Sequence, residues 1–212
     1  MKVRRYFHEA QYAESMAAGE FRISTLSACR GYEDANRGDP NEGFTSYNTG
    51  ALTGAHPNAR ELALRAGIHI GGEGQLSERI ILSNNTFVTK IHDGYVICMA
   101  HTPITDADTL NTFGRYYVEI SDVDLFSHRV GKTLERELNM VFEHSRGPVS
   151  YNGHVHVGDE PSPGRIAFVK APRYSPQHEY RALWVGNRSH QYEVRSIVVP
   201  RVADLCKVER VL

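Results

Sequence analysis

The sequence predicts a single mixed, β-rich α+β domain. Three observations carry that expectation. The 212 residues fit one domain and contain no internal repeat, low-complexity tract or linker. Most apolar runs are short, rich in β-branched and aromatic residues, or alternate with polar ones, as strands do. A few longer stretches instead repeat their apolar residues every three to four positions, as amphipathic helices do.

Taken in order, "HEAQYAESMAAGE" reads as a helix with Ala10, Tyr12, Ala13, Met16 and Ala17 on one stripe. Gly19 suits the left-handed position just past a helix end. "EFRISTL" then alternates, with Phe21, Ile23 and Thr25 on one face and Arg22, Ser24 and Leu26 on the other. Residues 27–50, rich in Gly, Asn and Asp, read as a long loop of the kind that carries function. Residues 57–66 suit a short helix, and 67–85 mix glycines with apolar pairs without a clear period. "FVTKIH", "YVICMAH" and "RYYVEIS" are expected strands, with Asp93-Gly94 as a hairpin turn between the first two. "VDLFSHRVGKTLERELN" suits a helix burying Leu125, Val130, Leu134 and Leu138. Val149 and Tyr151, then Asn152-Gly153, then Val155 and Val157 spell a second hairpin. "RIAFVK", "EYRALWV" and "YEVRSIVV" are expected to finish the sheet.

Composition narrows the function. A formal net charge of −1 provides no overall field toward nucleic acid or membranes. Yet 19 of the 24 basic residues are Arg, the planar bidentate partner of phosphates and carboxylates. That balance suits a local grip on a phosphorylated small molecule. The cysteines Cys29, Cys98 and Cys206 are far apart and odd in number, which argues against a disulfide scaffold or a zinc knuckle. Met-Lys-Val-Arg-Arg leads into no apolar segment, and no run is long enough to span a bilayer, so a cytoplasmic protein without a membrane partner is expected.

Several motifs can be set aside. His154 and His156 share a strand face and could form half a metal site, but an exposed hairpin face accounts for them better, and no metal is expected. "DANRGDPNE" misplaces the glycine of a calcium loop. "GIHIGGEG" lacks dinucleotide spacing, and no G-x-S-x-G elbow is present. Cys98 reads as a small core residue, whereas Cys29 beside Arg30 is a candidate thiolate.

Two segments remain, "EFRISTLSACRGYEDANRGDPNEG" (20–43) and "FVKAPRYSPQHEYRALW" (168–184). Each sets arginines, aromatics and carboxylates at a strand boundary, where a scaffold can hold them rigidly. In the second, Glu179 and Arg181 share one strand face. They form either an internal ion pair or an active site with a catalytic glutamate.

These segments resemble the two end motifs of a large group of bacterial and phage proteins. That group opens with a helix, a strand of type G-x-I/F-R-F-S/G-T-L, and an aromatic with Glu/Asn-Asp. It ends with F-x-K-x-x-x-Y-x-x-Q/E-x-E-Y/W-R, which Phe168, Lys170, Tyr174, Gln177, Glu179, Tyr180 and Arg181 match. The middle of the chain fits more loosely. The group in turn resembles the ADP-ribosyltransferase fold, which implies a split sheet with a few helices and NAD as substrate. By that resemblance Arg22 grips NAD with Ser24 and Thr25 beside it, and Gln177-His178-Glu179 is the Gln-x-Glu motif. No separate Ser-Thr-Ser strand lies in the middle of this chain, which is a departure from the arginine-class pattern. Cleavage of the nicotinamide–ribose bond passes through an oxocarbenium-like state, which the Glu179 carboxylate would stabilise while Gln177 orients the acceptor. Arg22 or Arg37 would hold the pyrophosphate, Tyr32 or Tyr174 would stack on a ring, and Arg181 completes the cofactor-binding set. The expected activity is ADP-ribosyl transfer to protein, RNA or DNA in bacterial or phage conflict. An NAD glycohydrolase is a close variant. The alternatives are a non-enzymatic nucleotide or nucleic-acid binding module and an inhibitor of a host protein.

Overall fold

The computed structural model describes residues 1–31, 38–69, 81–157, 163–187 and 190–211. Its centre is strand β7 (Tyr95–Ala100), whose six residues are almost wholly buried. One edge of β7 pairs continuously with β11 (Glu179–Val185), from Glu179 opposite Ala100 to Trp184 opposite Tyr95. β11 pairs in turn with β9 (Glu143–Pro148).

The other edge of β7 is shared by two strands. β1 (Val3–Phe7) pairs with it at Arg4 opposite Ala100. β2 (Glu20–Thr25) pairs at Ser24 and Thr25, opposite Val96 and Tyr95. β1 and β2 run in the same direction, joined by helix α1 (Ala10–Ala18). Because each touches a different end of β7, they splay apart alongside Ile97, Cys98 and Met99. β1 carries on the sheet through β8 (Tyr116–Ile120) to β13 (Cys206–Arg210), and β2 carries it to β12 (Arg195–Val198). The sheet is therefore forked, and the fold is the expected mixed α+β with a split sheet.

One face of this sheet is dry. Tyr95, Ile97 and Met99 from β7, Phe21 and Ile23 from β2, and Tyr180, Ala182 and Trp184 from β11 form a common core. A helix of sixteen residues (Val123–Leu138) packs on it, and is labelled α5 after three shorter helices described below. Asp122 caps its start by accepting from the amides of Asp124 and Leu125, and Asn139 ends it in the left-handed conformation. The buried stripe is Val123, Phe126, Val130 and Leu134. Leu125, expected on that stripe, is 37% exposed, because it lies five residues before Val130, about 140° around the helix from it, whereas Phe126 lies four before. Gly131 allows the closest approach: a β-carbon there would stand 2.9 Å from Trp184 Nε1.

The opposite face is crossed by α2 (Leu26–Arg30), whose first turn is capped by Thr25 Oγ1 accepting from Ala28 N at 3.0 Å. Beside it lies a smaller layer. β3 (Phe44–Asn48) pairs with β6 (Thr86–Lys90) and, in parallel, with β10 (Val155–Val157). β4 (Ala51–Thr53) pairs with β5 (Ile81–Ser83), and α3 (Ala59–Arg65) packs with them around Tyr47, Leu52, Leu62 and Leu82. A fourth helix, α4 (Ala107–Phe113), precedes β8.

Three expectations fail on topology. The chain through Asp93-Gly94 is not a hairpin, since β6 and β7 belong to different sheets. Instead Asp93 Oδ1 accepts from Ser27 N and Gly94 N, pinning the start of α2. The Asn152-Gly153 hairpin is also absent. Its first arm lies just past β9, where Val149 N donates to Glu179 O of β11 and Ser150 N to Phe168 O, and its second, β10, joins β3, whose amide at Ser46 donates to His154 O. Finally, "RIAFVK" forms a 3₁₀ segment (Pro163–Phe168) rather than a strand, with a single parallel bridge between Ser150 and Val169. The segment 70–80 lies outside the described residues, as does most of the glycine-rich stretch.

Candidate functional site: a cleft in the forked sheet

A cavity of about 340 Å³ occupies the fork. Its β1 side carries Arg4 and Arg5, and its β2 side carries Arg22 and Ser24. Arg5 Nη2 bridges the gap by donating to Arg22 O at 3.0 Å. The floor is β7 at Cys98, and the far wall is Gln177, Glu179, Lys170 and Glu42. Alternation selects these side chains. Arg22 and Ser24 point opposite to Phe21, Ile23 and Thr25 on β2, and Glu179 and Arg181 point opposite to Tyr180 and Ala182 on β11.

Glu179 is 3% exposed and is fixed on every side. Its amide donates to Tyr151 Oη at 2.7 Å, and its carbonyl accepts from Val149 N at 2.9 Å. Arg181 Nε donates to its Oε1 at 2.5 Å, and Lys170 Nζ stands 2.7 Å from its Oε2. Lys170 Nζ also donates to Gln177 Oε1 at 3.0 Å, which orients Gln177 beside the glutamate. Arg181, fully buried, reaches on to Glu42 Oε1 at 2.6 Å and donates through Nη1 to Ala167 O. The Lys170–Glu179 and Arg181–Glu42 contacts are close charge pairs whose angles fall outside a hydrogen bond. Two carboxylates, Glu42 and Glu179, thus face two cations, Lys170 and Arg181, and the buried cluster is neutral.

Electrostatics separates the two glutamates. Burial pushes the Glu179 carboxyl up, but Arg181 and Lys170 outweigh it and hold the group far below the usual carboxylate range. At Glu42 burial wins over Arg181 and Lys170, and its carboxyl is raised. Burial likewise pushes the Tyr151 hydroxyl up to about 12, so it stays protonated. A second buried pair braces the rim: His154 Nε2 lies 2.9 Å from Asp39 Oδ2, and His154 Nδ1 lies 3.0 Å from Phe44 O. His154 thereby belongs to a structural contact just before β10 begins.

Of the residues singled out from the sequence, Arg22, Ser24, Gln177 and Glu179 meet around one cavity. Thr25 does not join them, since it lies on the opposite strand face, 2% exposed, and caps α2. Arg181 sits beneath the cavity wall as the anchor of both glutamates. Tyr174 is buried beside it, donating to Gly38 O at 2.8 Å and lying under Lys170 Nζ at 5.1 Å from its ring centroid. Tyr32 and Arg37 lie outside the described residues. Sequence reasoning passed over Arg4, Arg5, Glu42 and Lys170 as site residues. The doubled arginine of "VRRYF" is a local signal: both residues line the cavity, although the Arg4 guanidinium also pairs with Glu119 at 3.1 Å.

No family model, no curated protein and no solved structure matches this chain. Among the described residues, no helix is long and apolar enough to cross a membrane.

Proposed function

We propose that this chain binds NAD in the forked cleft and transfers its ADP-ribose to a macromolecular acceptor. The observation that carries the reading is that Arg5 and Arg22, with Arg4 paired to Glu119 at 3.1 Å beside them, line one cavity of about 340 Å³ together with Gln177 and the buried anion Glu179. The arginines supply charge-assisted bonds for a pyrophosphate. Glu179 is held ionised, as a group must be that stabilises positive charge developing on a ribose. In the proposed step the C1′–N bond breaks and nicotinamide leaves with the electron pair. The acceptor's lone pair forms the new bond at C1′ and its proton passes to solvent. With water as acceptor the same site is a glycohydrolase.

One observation favours a second reading. Both carboxylate oxygens of Glu179 are already engaged by cations, at 2.5 and 2.7 Å. A neutral cluster of this kind also suits a scaffold beneath a pocket that binds a nucleotide without turning it over.

Labelled NAD, incubated with the protein alone and with lysate, DNA or RNA, separates the readings when nicotinamide release and label transfer are followed together. Transfer that disappears in a Glu179→Gln variant still folded at the assay temperature supports the enzyme, and the labelled pool names the acceptor. Arg22→Ala, on an exposed strand position, keeps the fold and loses NAD affinity under either reading. Saturable binding without release leaves the binding module. A folded wild type that neither binds nor cleaves NAD overturns both.

A further inference from the structure

Where the floor of the cleft meets its far wall lies a cluster that the NAD reading does not use. Cys29 comes from α2, Cys98 from β7 and Glu42 from the chain leading into β3. Their two sulfurs and a carboxylate oxygen all lie within 4.8 Å of one another, and all three residues line the cavity. The thiols are drawn together from positions 69 residues apart, where a packed core of Leu, Val or Ala would have served as well. Cys29 is 5% exposed and its Sγ is 3.6 Å from Ser24 Oγ.

We propose that Cys29, Cys98 and Glu42 form a binding site for a thiophilic divalent cation, Zn²⁺ foremost. Two sulfurs and one carboxylate are ligands Zn²⁺ takes, and three protein ligands with a fourth position toward a cavity are the pattern of an open rather than a structural zinc site. Binding breaks two S–H bonds and releases two protons to water. The ion brings two positive charges and the thiolates two negative ones, so the charge of the buried cluster, Glu42 and Glu179 against Lys170 and Arg181, is unchanged. Arg181 on Glu42 Oε1 takes the outer position: a carboxylate offers a second oxygen to a metal while the first stays paired. The third cysteine, Cys206 on β13, is remote in the sheet order and serves as the control.

The test uses protein purified in chelator and titrated with Co²⁺, with NAD left out so that this site and the NAD reading fail separately. One equivalent should raise the visible bands of a tetrahedral thiolate site, and Zn²⁺ should bleach them. Cys29→Ser and Cys98→Ser should each weaken Co²⁺ binding by more than about 10-fold, since even outer-sphere changes at metal sites cost that much. Cys206→Ser should leave it unchanged. A readout on the wild type avoids any folding defect of the variants: Zn²⁺ should shield Cys29 and Cys98, but not Cys206, from alkylation read by mass spectrometry. Absence of thiolate bands in folded wild type, equal alkylation with and without Zn²⁺, or bands that survive both variants would each overturn the site.

Discussion

β11 shows two ways of burying a strand. Tyr180, Ala182 and Trp184 enter an apolar core beneath α5, while Glu179, Arg181 and Leu183 alternate with them toward the cleft. Both faces are buried, and Arg181 is as inaccessible as Ala182. The apolar face is stabilised by area removed from water, which is indifferent to pH. The polar face is held by a charge balance that survives only while every member is present. The cleft lies over the second face because only there does the fork between β1 and β2 open onto groups that can do chemistry.

The sharpest way to break this comparison is to remove one large side chain from each face. Trp184→Ala and Arg181→Ala should each cost about 3–5 kcal/mol, the first by a cavity and the second by stranding two buried carboxylates. Their pH dependence should differ. Without Arg181, Glu42 and Glu179 bind protons more readily in the folded state than in the unfolded chain, so the variant regains stability as pH falls from 7 toward 5. Trp184→Ala should stay parallel to wild type over that range. Calorimetric melting across pH reads both, and parallel curves for the two variants would remove the distinction between the faces.

A smaller effect isolates the glutamate itself. The Glu179 carboxyl is depressed below its ordinary value of 4.5, so its contribution is present above that pH and lost as pH falls below it. Glu42, raised, works with the opposite sign. Glu179→Gln should therefore cost about 3 kcal/mol near neutrality, and the gap to wild type should narrow below pH ~4. Denaturant titrations at the two pH values measure it. A gap independent of pH would mean that the shape of the side chain matters rather than its charge.

Several strands of the central sheet and the two longer helices were legible because their periodicity is local: α1, β2, β8, α5 and β11 fall where the pattern places them, whereas α2 and β3 occupy parts of 27–50, which read as a loop. What failed was partner choice. Asp93-Gly94 and Asn152-Gly153 carry good turn chemistry, yet each lies between strands of different sheets, and no local signal records that. For the site, alternation put Arg22 and Ser24 on one face of β2 and Thr25 on the other, and the structure keeps that division; it was the resemblance that grouped Thr25 with them. Glu42 was invisible because it meets Arg181 from a chain segment 139 residues away, and Arg4 because its place beside the cavity depends on the fork, which is a property of three strands at once.

The Ser24–Thr25 pair tests that last point at the scale of one side chain. Thr25 Oγ1 accepts from Ala28 N on the core side, so Thr25→Ala should lose a helix cap and about 1 kcal/mol of stability. Its effect on ligand affinity in the cleft should be negligible, because the side chain lies on the far face of β2. Ser24→Ala removes a hydroxyl from the cavity wall and should do the reverse, weakening NAD binding while changing stability by less than about 0.5 kcal/mol. Melting temperature and NAD affinity, measured on both variants, form a two-by-two comparison. If Thr25→Ala weakens NAD binding as much as Ser24→Ala does, the two faces of β2 are coupled through α2, whose start Thr25 caps and whose Cys29 lines the same cleft. That outcome would make α2, rather than strand alternation, the element that shapes the pocket.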